Sequence, residues 1–317
     1  MTINLELEKK IINLINEFNA KNYELVITQA KEIISSNSDI SIIYNLLGAS
    51  YSLISKDLEA IDAYQNAHRH DVDNEEILSN MGKSYIKLGQ YNKAYEFFKK
   101  AKKIQPNNPD TIFNLGLLDL RKNQFQDSID KFKLAIEYNN NFYQAFYNLA
   151  IAQNSIGSFL EAQSNYLEAI RIKDDYYQAY NNLGSILIKT KKTNEAIKVL
   201  QKAVEIKPQY TASLTNLGVA YLDLKKYEDA LKYFDKALLV DSSYVRAITQ
   251  KLYLMRKICN WSQDDAVENN LKLINNSKID VTPWQLLSLD DDPEIEFIRA
   301  KKYGQQFGFK SFNYSFR

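Results

Sequence analysis

Gly48, Gly82, Gly116, Gly184 and Gly218 stand on one 34-residue ladder, and Ala150 fills the missing rung. Four further ladders run in phase with it: Leu47, Met81, Leu115, Leu149, Leu183 and Leu217; Ala60, Ala94, Ser128, Ala162, Ala196 and Ala230; Tyr64, Phe98, Phe132, Tyr166, Leu200 and Phe234; Ala67, Ala101, Ala135, Ala169, Ala203 and Ala237. A fixed period of this length specifies a repeat array, in which each copy buries its apolar face against the next copy. Such a chain has no single core around which to enclose an active site. It presents a surface.

Each copy reads as two amphipathic helices. Between Pro109 and Phe142, Ile112, Leu115, Gly116 and Leu118 recur at helical spacing, as do Ile129, Phe132 and Ile136. Lys122, Asn123 and Gln124 form the polar turn between them. The glycine ladder and the first alanine ladder let the paired helices approach closely, the aromatic ladder fills the space left open, and the second alanine ladder admits the next copy. Pro106 and Pro208 end the second helix of their copies. Asn140, Asp174 and Ser242 take that place elsewhere, beside the turn formers Asn141, Asp175 and Ser243.

Composition excludes several functions. A net charge of +1 gives no electrostatic case for a nucleic-acid partner. The short basic clusters, Lys99, Lys100, Lys102 and Lys103, and Lys189, Lys191 and Lys192, read as solvated helix ends. Cys259 is the only cysteine and His68 and His70 are the only histidines, so no disulfide forms within the chain and neither a metal site nor a cofactor is expected. Residues Met1 to Asn19 lack the pattern of a secretory signal, and no apolar run approaches the roughly 20 residues of a membrane span. The expectation is a cytoplasmic protein with no membrane partner.

The in-phase ladders resemble the tetratricopeptide repeat. Six good copies run from Ser41 to Tyr244. A degenerate copy from Leu7 to Ile40 precedes them, with Tyr23 at the turn position and Val26, Ala30 and Ile33 departing from the usual residues. The resemblance implies an all-α tetratricopeptide-repeat superhelical solenoid, with a concave groove lined by the first helices and a C-terminal helical cap or junction. The expected organisation is an N-terminal cap over residues 1–40, six repeats over 41–244, a helical junction over 245–306 and a short tail over 307–317.

One more ladder bears on function. Asn80, Asn114, Asn148, Asn182 and Asn216 recur at one place in successive first helices. An amide offers both a donor and an acceptor, which suits a peptide backbone of any sequence. Asparagine at this place in tetratricopeptide repeats sometimes only hydrogen-bonds neighbouring helices, and both readings stay open. Leu46 breaks the row in the first good copy. Capture of a C-terminal carboxylate is not expected. It needs cations on the groove face, and the candidate rows carry Glu76, Asp110, Gln144 and Gln178, and Asn45, Ser79, Phe113, Tyr147, Asn181 and Thr215. Lys83, Lys87, Arg121 and Lys189 are scattered charges near the groove. Phe113 and Tyr147 are candidate aromatic anchors, with packing between repeats as the simpler role.

Beyond Tyr244 the period fades. Val245 to Ile258 continues as a helix with Ile248, Leu252, Met255 and Ile258 on one stripe. Then come Cys259-Asn260-Trp261-Ser262, a segment from Pro283 to Pro293 containing Trp284, and a last helix with Ala300 and Tyr303. This order of elements resembles the junction of protein O-linked N-acetylglucosamine transferases, where the family usually has Cys-Asp-Trp. The resemblance implies that the array recruits protein substrates through its asparagine row, and that a glycosyltransferase catalytic domain partners it in cis or in trans. No catalytic residue carries over: nothing after Tyr303 reads as a βαβ unit and no Gly-rich phosphate loop occurs. The chain alone is therefore expected to bind protein or peptide segments without catalysis. The alternative is a stand-alone scaffold unconnected with glycosyl transfer.

Overall fold

The computed structural model describes residues 5–37 and 39–258, and every regular element among them is an α-helix. The chain divides into two compact units, Met1–Ser158 and Phe159–Arg317. The first holds α1 (Leu5–Asn19), α2 (Tyr23–Ser36), α3 (Ser41–Leu53), α4 (Asp57–His70), α5 (Glu75–Lys87), α6 (Tyr91–Ile104), α7 (Pro109–Arg121), α8 (Phe125–Tyr138) and α9 (Tyr143–Ser155). The second holds α10 (Phe159–Ile172), α11 (Tyr177–Lys189), α12 (Thr193–Ile206), α13 (Thr211–Asp223), α14 (Tyr227–Val240) and α15 (Val245–Lys257). The architecture is the all-α tetratricopeptide-repeat solenoid. Within each unit consecutive helices pack against one another, and from α3 onward a first helix of 13 residues alternates with a second of 14, whereas α1 has 15.

The glycine and aromatic ladders are two halves of one contact. A Cβ placed on Gly82 would meet the Phe98 ring at 2.8 Å, one on Gly48 the Tyr64 ring at 2.7 Å, and one on Gly116 the Phe132 ring at 2.8 Å. Leu200 lies on Gly184 and Phe234 on Gly218 in the same way. Each glycine is thus the socket for the large side chain of its own second helix. Both alanine ladders are fully buried, at 0% exposure on every rung, with Ser128 taking one of them and donating its hydroxyl to the Phe125 carbonyl. Burial also pushes the Tyr64 phenol well above its ordinary pKa.

A ladder hidden in the sequence sets the turn. Lys21, Ser55, Gly89, Asn123, Gly157, Lys191 and Lys225 all adopt left-handed backbone, φ between 59° and 83°, and they recur on the same period. The amide after each donates back to the last turn of the preceding helix, as in Lys56 N to Tyr51 O (2.9 Å) and Lys192 N to Leu187 O (2.8 Å). This is the Schellman closure, and it satisfies a helix-end carbonyl that would otherwise go unpaired. Lys21 closes α1 with the same turn, Asn22 N donating to Glu17 O (3.0 Å). Tyr23 opens α2 and sets its ring edge-on to Phe18, with centroids 5.6 Å apart.

Two second helices stop just before a proline: α6 ends two residues ahead of Pro106 and α12 two ahead of Pro208. At the other end, Asn74 and Asn108 cap α5 and α7 by accepting from Ile77 N and from Asp110 N and Thr111 N. In α15, Ile248, Leu252 and Met255 are buried as their stripe requires. Cys259, Trp261, Trp284, the rest of the proposed junction and the tail lie outside the described residues.

Candidate peptide-binding face

In the first unit the first helices α5, α7 and α9 carry Asn80, Asn114 and Asn148; in the second, α11 and α13 carry Asn182 and Asn216. Sequence gives these five residues one role, but their surroundings differ. Asn80 donates Nδ2 to Asn45 Oδ1 (3.3 Å), and Asn45 donates to Glu76 Oε1 (3.1 Å). Asn216 donates Nδ2 to Asn181 Oδ1 (2.8 Å), an oxygen that also accepts from Ser213 Oγ (3.1 Å). Asn114 and Asn148 instead donate back along their own helices, to the carbonyls of Asp110 and Gln144, each at 2.8 Å. Asn182 accepts from Asn181 Nδ2 (3.1 Å) and donates to the Tyr166 hydroxyl (3.4 Å).

The residue 35 positions earlier separates these cases within each unit. Where it is asparagine, Asn45 before Asn80 and Asn181 before Asn216, the amide is drawn into a tie between neighbouring first helices. Where it is Ser79 or Phe113, before Asn114 and Asn148, no amide is there to meet it and the side chain folds back on its own turn. The result is graded access. Asn216 is 1% exposed, whereas Asn80, Asn114, Asn148 and Asn182 are half-buried. On Asn114 and Asn148, Oδ1 accepts no hydrogen bond among the described residues.

Three of the four cations read as scattered charges near the groove, Lys87, Arg121 and Lys189, have fixed partners. Lys87 Nζ donates to Ser52 O (2.6 Å) and Ser52 Oγ (2.8 Å) and pairs with Asp57 (3.4 Å). Arg121 lies over the Tyr91 ring, 4.0 Å from its centroid, and Lys189 over Phe159 at 5.4 Å. Each joins the last residue of a first helix to the first residue of the preceding second helix. Thr193 and Asp223 occupy the same two places: Thr193 Oγ1 donates to Asp223 Oδ2 (2.5 Å) and Lys191 Nζ to Oδ1 (3.0 Å). These bonds hold the Asp223 carboxyl below its ordinary pKa, the Thr193 hydroxyl contributing most. Lys83 stays exposed on α5. Phe113 packs on Phe132 and Phe142, with ring centroids 5.6 Å and 4.8 Å away, so it is part of the interior between repeats. Tyr147 is half-buried.

One buried charge was not singled out by the repeat pattern. Asp119 on α7 stands where the other copies have Tyr51, Tyr85, Gln153, Leu187 and Tyr221, and it pairs with Lys131 of α8 at 2.5 Å. A charged residue on an otherwise uncharged rung was the available signal. His70 stacks on Tyr44 with centroids 5.8 Å apart. Among the described residues, no group of three His, Cys, Asp or Glu side chains is placed to hold a metal ion, and no helix is long and apolar enough to cross a membrane.

Two stretches, residues 75–108 and 175–241, match models of the tetratricopeptide repeat. Both matches lie inside the repeats, and neither reaches the segment beyond Tyr244 in which a glycosyltransferase junction is expected from the sequence. No curated protein matches the chain. Similar solved structures include the C-terminal part of a TPR repeat-containing protein from Cytophaga hutchinsonii, with 17% identity, coverage of 76% of this chain and 98% of that one, and a TM-score of 0.59. A tetratricopeptide repeat protein from Parabacteroides merdae gives 18% identity, coverage of 85% and 98%, and a TM-score of 0.58. YrrB, described as a TPR protein with an unusual peptide-binding site, gives 22% identity, coverage of 58% and 95%, and a TM-score of 0.49. The likeness to the Cytophaga hutchinsonii and Parabacteroides merdae structures establishes the fold alone.

Proposed function

We propose that this tetratricopeptide-repeat array is a protein-interaction module that holds extended polypeptide segments along its first helices, chiefly through their main chain. The observation that carries the reading is the state of Asn114 and Asn148. Each keeps its amide fixed by a bond to its own helix while its Oδ1 accepts nothing among the described residues. A fixed, partly exposed acceptor suits the N–H of a passing backbone. Each such bond contributes about 0.5–1.5 kcal/mol net, so affinity comes from several along one strand, less the ordering cost of the ligand. Asn80 and Asn182 are secondary members of the row. Asn216 holds α11 and α13 together.

The finer form of this reading makes the array the substrate-recruiting arm of an O-linked N-acetylglucosamine transferase-like protein. It rests on Cys259-Asn260-Trp261 and on the segment from Pro283 to Pro293. A stand-alone adaptor uses the same face. A nucleotide-sugar-binding lobe that co-purifies with the chain favours the arm; its absence from every complex favours the adaptor.

A photo-crosslinking residue at position 148 tests the common part, with the same residue at position 133 on α8 as control. The proposal expects crosslinked polypeptide at 148 and little at 133. Equal labelling at the two positions overturns it.

A further inference from the structure

Helix α6 carries Lys93, Lys99, Lys100, Lys102 and Lys103 against a single carboxylate, Glu96. Every other second helix holds at least as many carboxylates as lysines and arginines. The excess is therefore local, and the near-neutral charge of the whole chain conceals it. None of these five lysines forms a salt bridge among the described residues, and four of them are exposed.

Their surroundings hold several cations in place without neutralising them. Tyr85 of α5 stacks on Phe97 of α6, ring centroids 5.3 Å apart. Lys93 sits over Tyr85 at 5.4 Å and Lys100 over Phe97 at 5.3 Å. On the opposite flank Lys122 sits over Tyr95 at 4.6 Å. A cation over a ring keeps its full charge while its side chain is ordered. The ordering cost that weakens exposed ion pairs is thereby partly met before a partner arrives.

We propose that the outward face of α6 is a docking surface for an acidic polypeptide segment, separate from the face of the first helices. Lys99 and Lys103 are one helical turn apart, a rise of about 6 Å, and alternate residues of an extended strand are about 6.6 Å apart. Two carboxylates on alternate residues of an extended ligand therefore come into step with this lysine pair. Single-stranded nucleic acid fits less well. It needs open aromatic faces for base stacking, whereas Tyr85 is 7% exposed and lies beneath Lys93. An anionic bilayer fits poorly too, because a helix that lies in a membrane surface inserts its apolar face. Ala94, Phe98 and Ala101, the apolar face of α6, are buried in the array.

The test uses the full chain and a labelled peptide of alternating Glu and Ser, about 16 residues long, read by fluorescence anisotropy at low and physiological salt. The four-site variant K93Q/K99Q/K100Q/K103Q should bind about tenfold more weakly or worse, with its helicity retained at the assay temperature. The arginine versions at the same four sites should retain binding. K198Q/K202Q/K232Q/K236Q, on α12 and α14, should leave affinity unchanged, and the loss caused by the α6 variant should be as large in an N114A/N148A background, which separates this surface from the asparagine face. The proposal is overturned by equal losses in the α6 and control variants, by equal binding of a peptide with Gln in place of Glu, or by tighter binding of a single-stranded oligonucleotide or phosphatidylserine vesicles at the same lysines.

Discussion

The guanidinium of Arg121 lies over the ring of Tyr91, 4.0 Å from its centroid, and thirty residues separate the two. The same separation joins Asp57 to Lys87, Phe159 to Lys189, Thr193 to Asp223 and Tyr227 to Lys257. The bond changes from ion pair to cation on ring to hydroxyl on carboxylate, but the two places in the repeat do not. Each tie fastens one hairpin to the next at the turn, where the interior contacts end.

Arg121→Ala should accordingly cost about 1 kcal/mol, the size of a partly exposed cation–ring contact with its packing. Arg121→Lys should recover part of it, since an ammonium keeps the charge but not the flat stacking surface. Urea unfolding of the two variants beside the parent measures both.

Asp223 makes its tie sensitive to acid. Its carboxyl is held below the ordinary value of 3.8 by Thr193 and Lys191. A depressed folded-state pKa gives stabilisation that is fully present above that ordinary value and is lost as pH falls through the lowered one. Melting curves of the parent should therefore drop more steeply below about pH 4 than those of Asp223→Asn, and the two should run parallel between pH 6 and pH 8. Parallel curves through the acid range would show that the carboxylate adds nothing there.

Two glycine substitutions should separate packing from backbone strain. Gly82→Ala drives a methyl into the Phe98 ring and should cost about 2–3 kcal/mol as an overpacked contact. Gly157→Ala meets no atom within 4 Å, so only its left-handed backbone is penalised, by about 1–2 kcal/mol. Denaturant midpoints should rank Gly82→Ala as the more damaging change.

The buried pair on α7 and α8 should be asymmetric. Asp119 is 3% exposed and cannot reach water, while Lys131 is 22% exposed and can turn outward. Lys131→Met strands a buried carboxylate and should cost about 3–5 kcal/mol. Asp119→Leu leaves a lysine free to solvate and should cost markedly less. Equal losses would mean that neither charge is confined.

The helices, their pairing and the socket of glycine and ring were legible in the sequence because each of those positions tolerates few residue types. The left-handed turn was not. Lys21, Ser55, Lys191 and Lys225 stand where glycine would be read at once, and the penalty of about 1–2 kcal/mol per residue is small against the packing around each turn. The thirty-residue tie escaped for a different reason: its chemistry changes from rung to rung, so no ladder of identical residues exists to be seen. The asparagine row was legible as a row, but the access of each member depends on the residue 35 positions before it. The lysines of α6 read as a solvated helix end, since their setting over Tyr85 and Phe97 exists only once α5 and α6 have packed.

The central claim is that Asn114 and Asn148 accept hydrogen bonds from a ligand's backbone. Its most direct measurement is the affinity of a peptide identified by crosslinking at position 148, compared with the same peptide N-methylated along its backbone, on the parent protein and on N114A/N148A. The account predicts that either change weakens binding about tenfold, that the two together add little more, and that the variant keeps its helicity. Full affinity for the methylated peptide, or a double variant that unfolds, would contradict it.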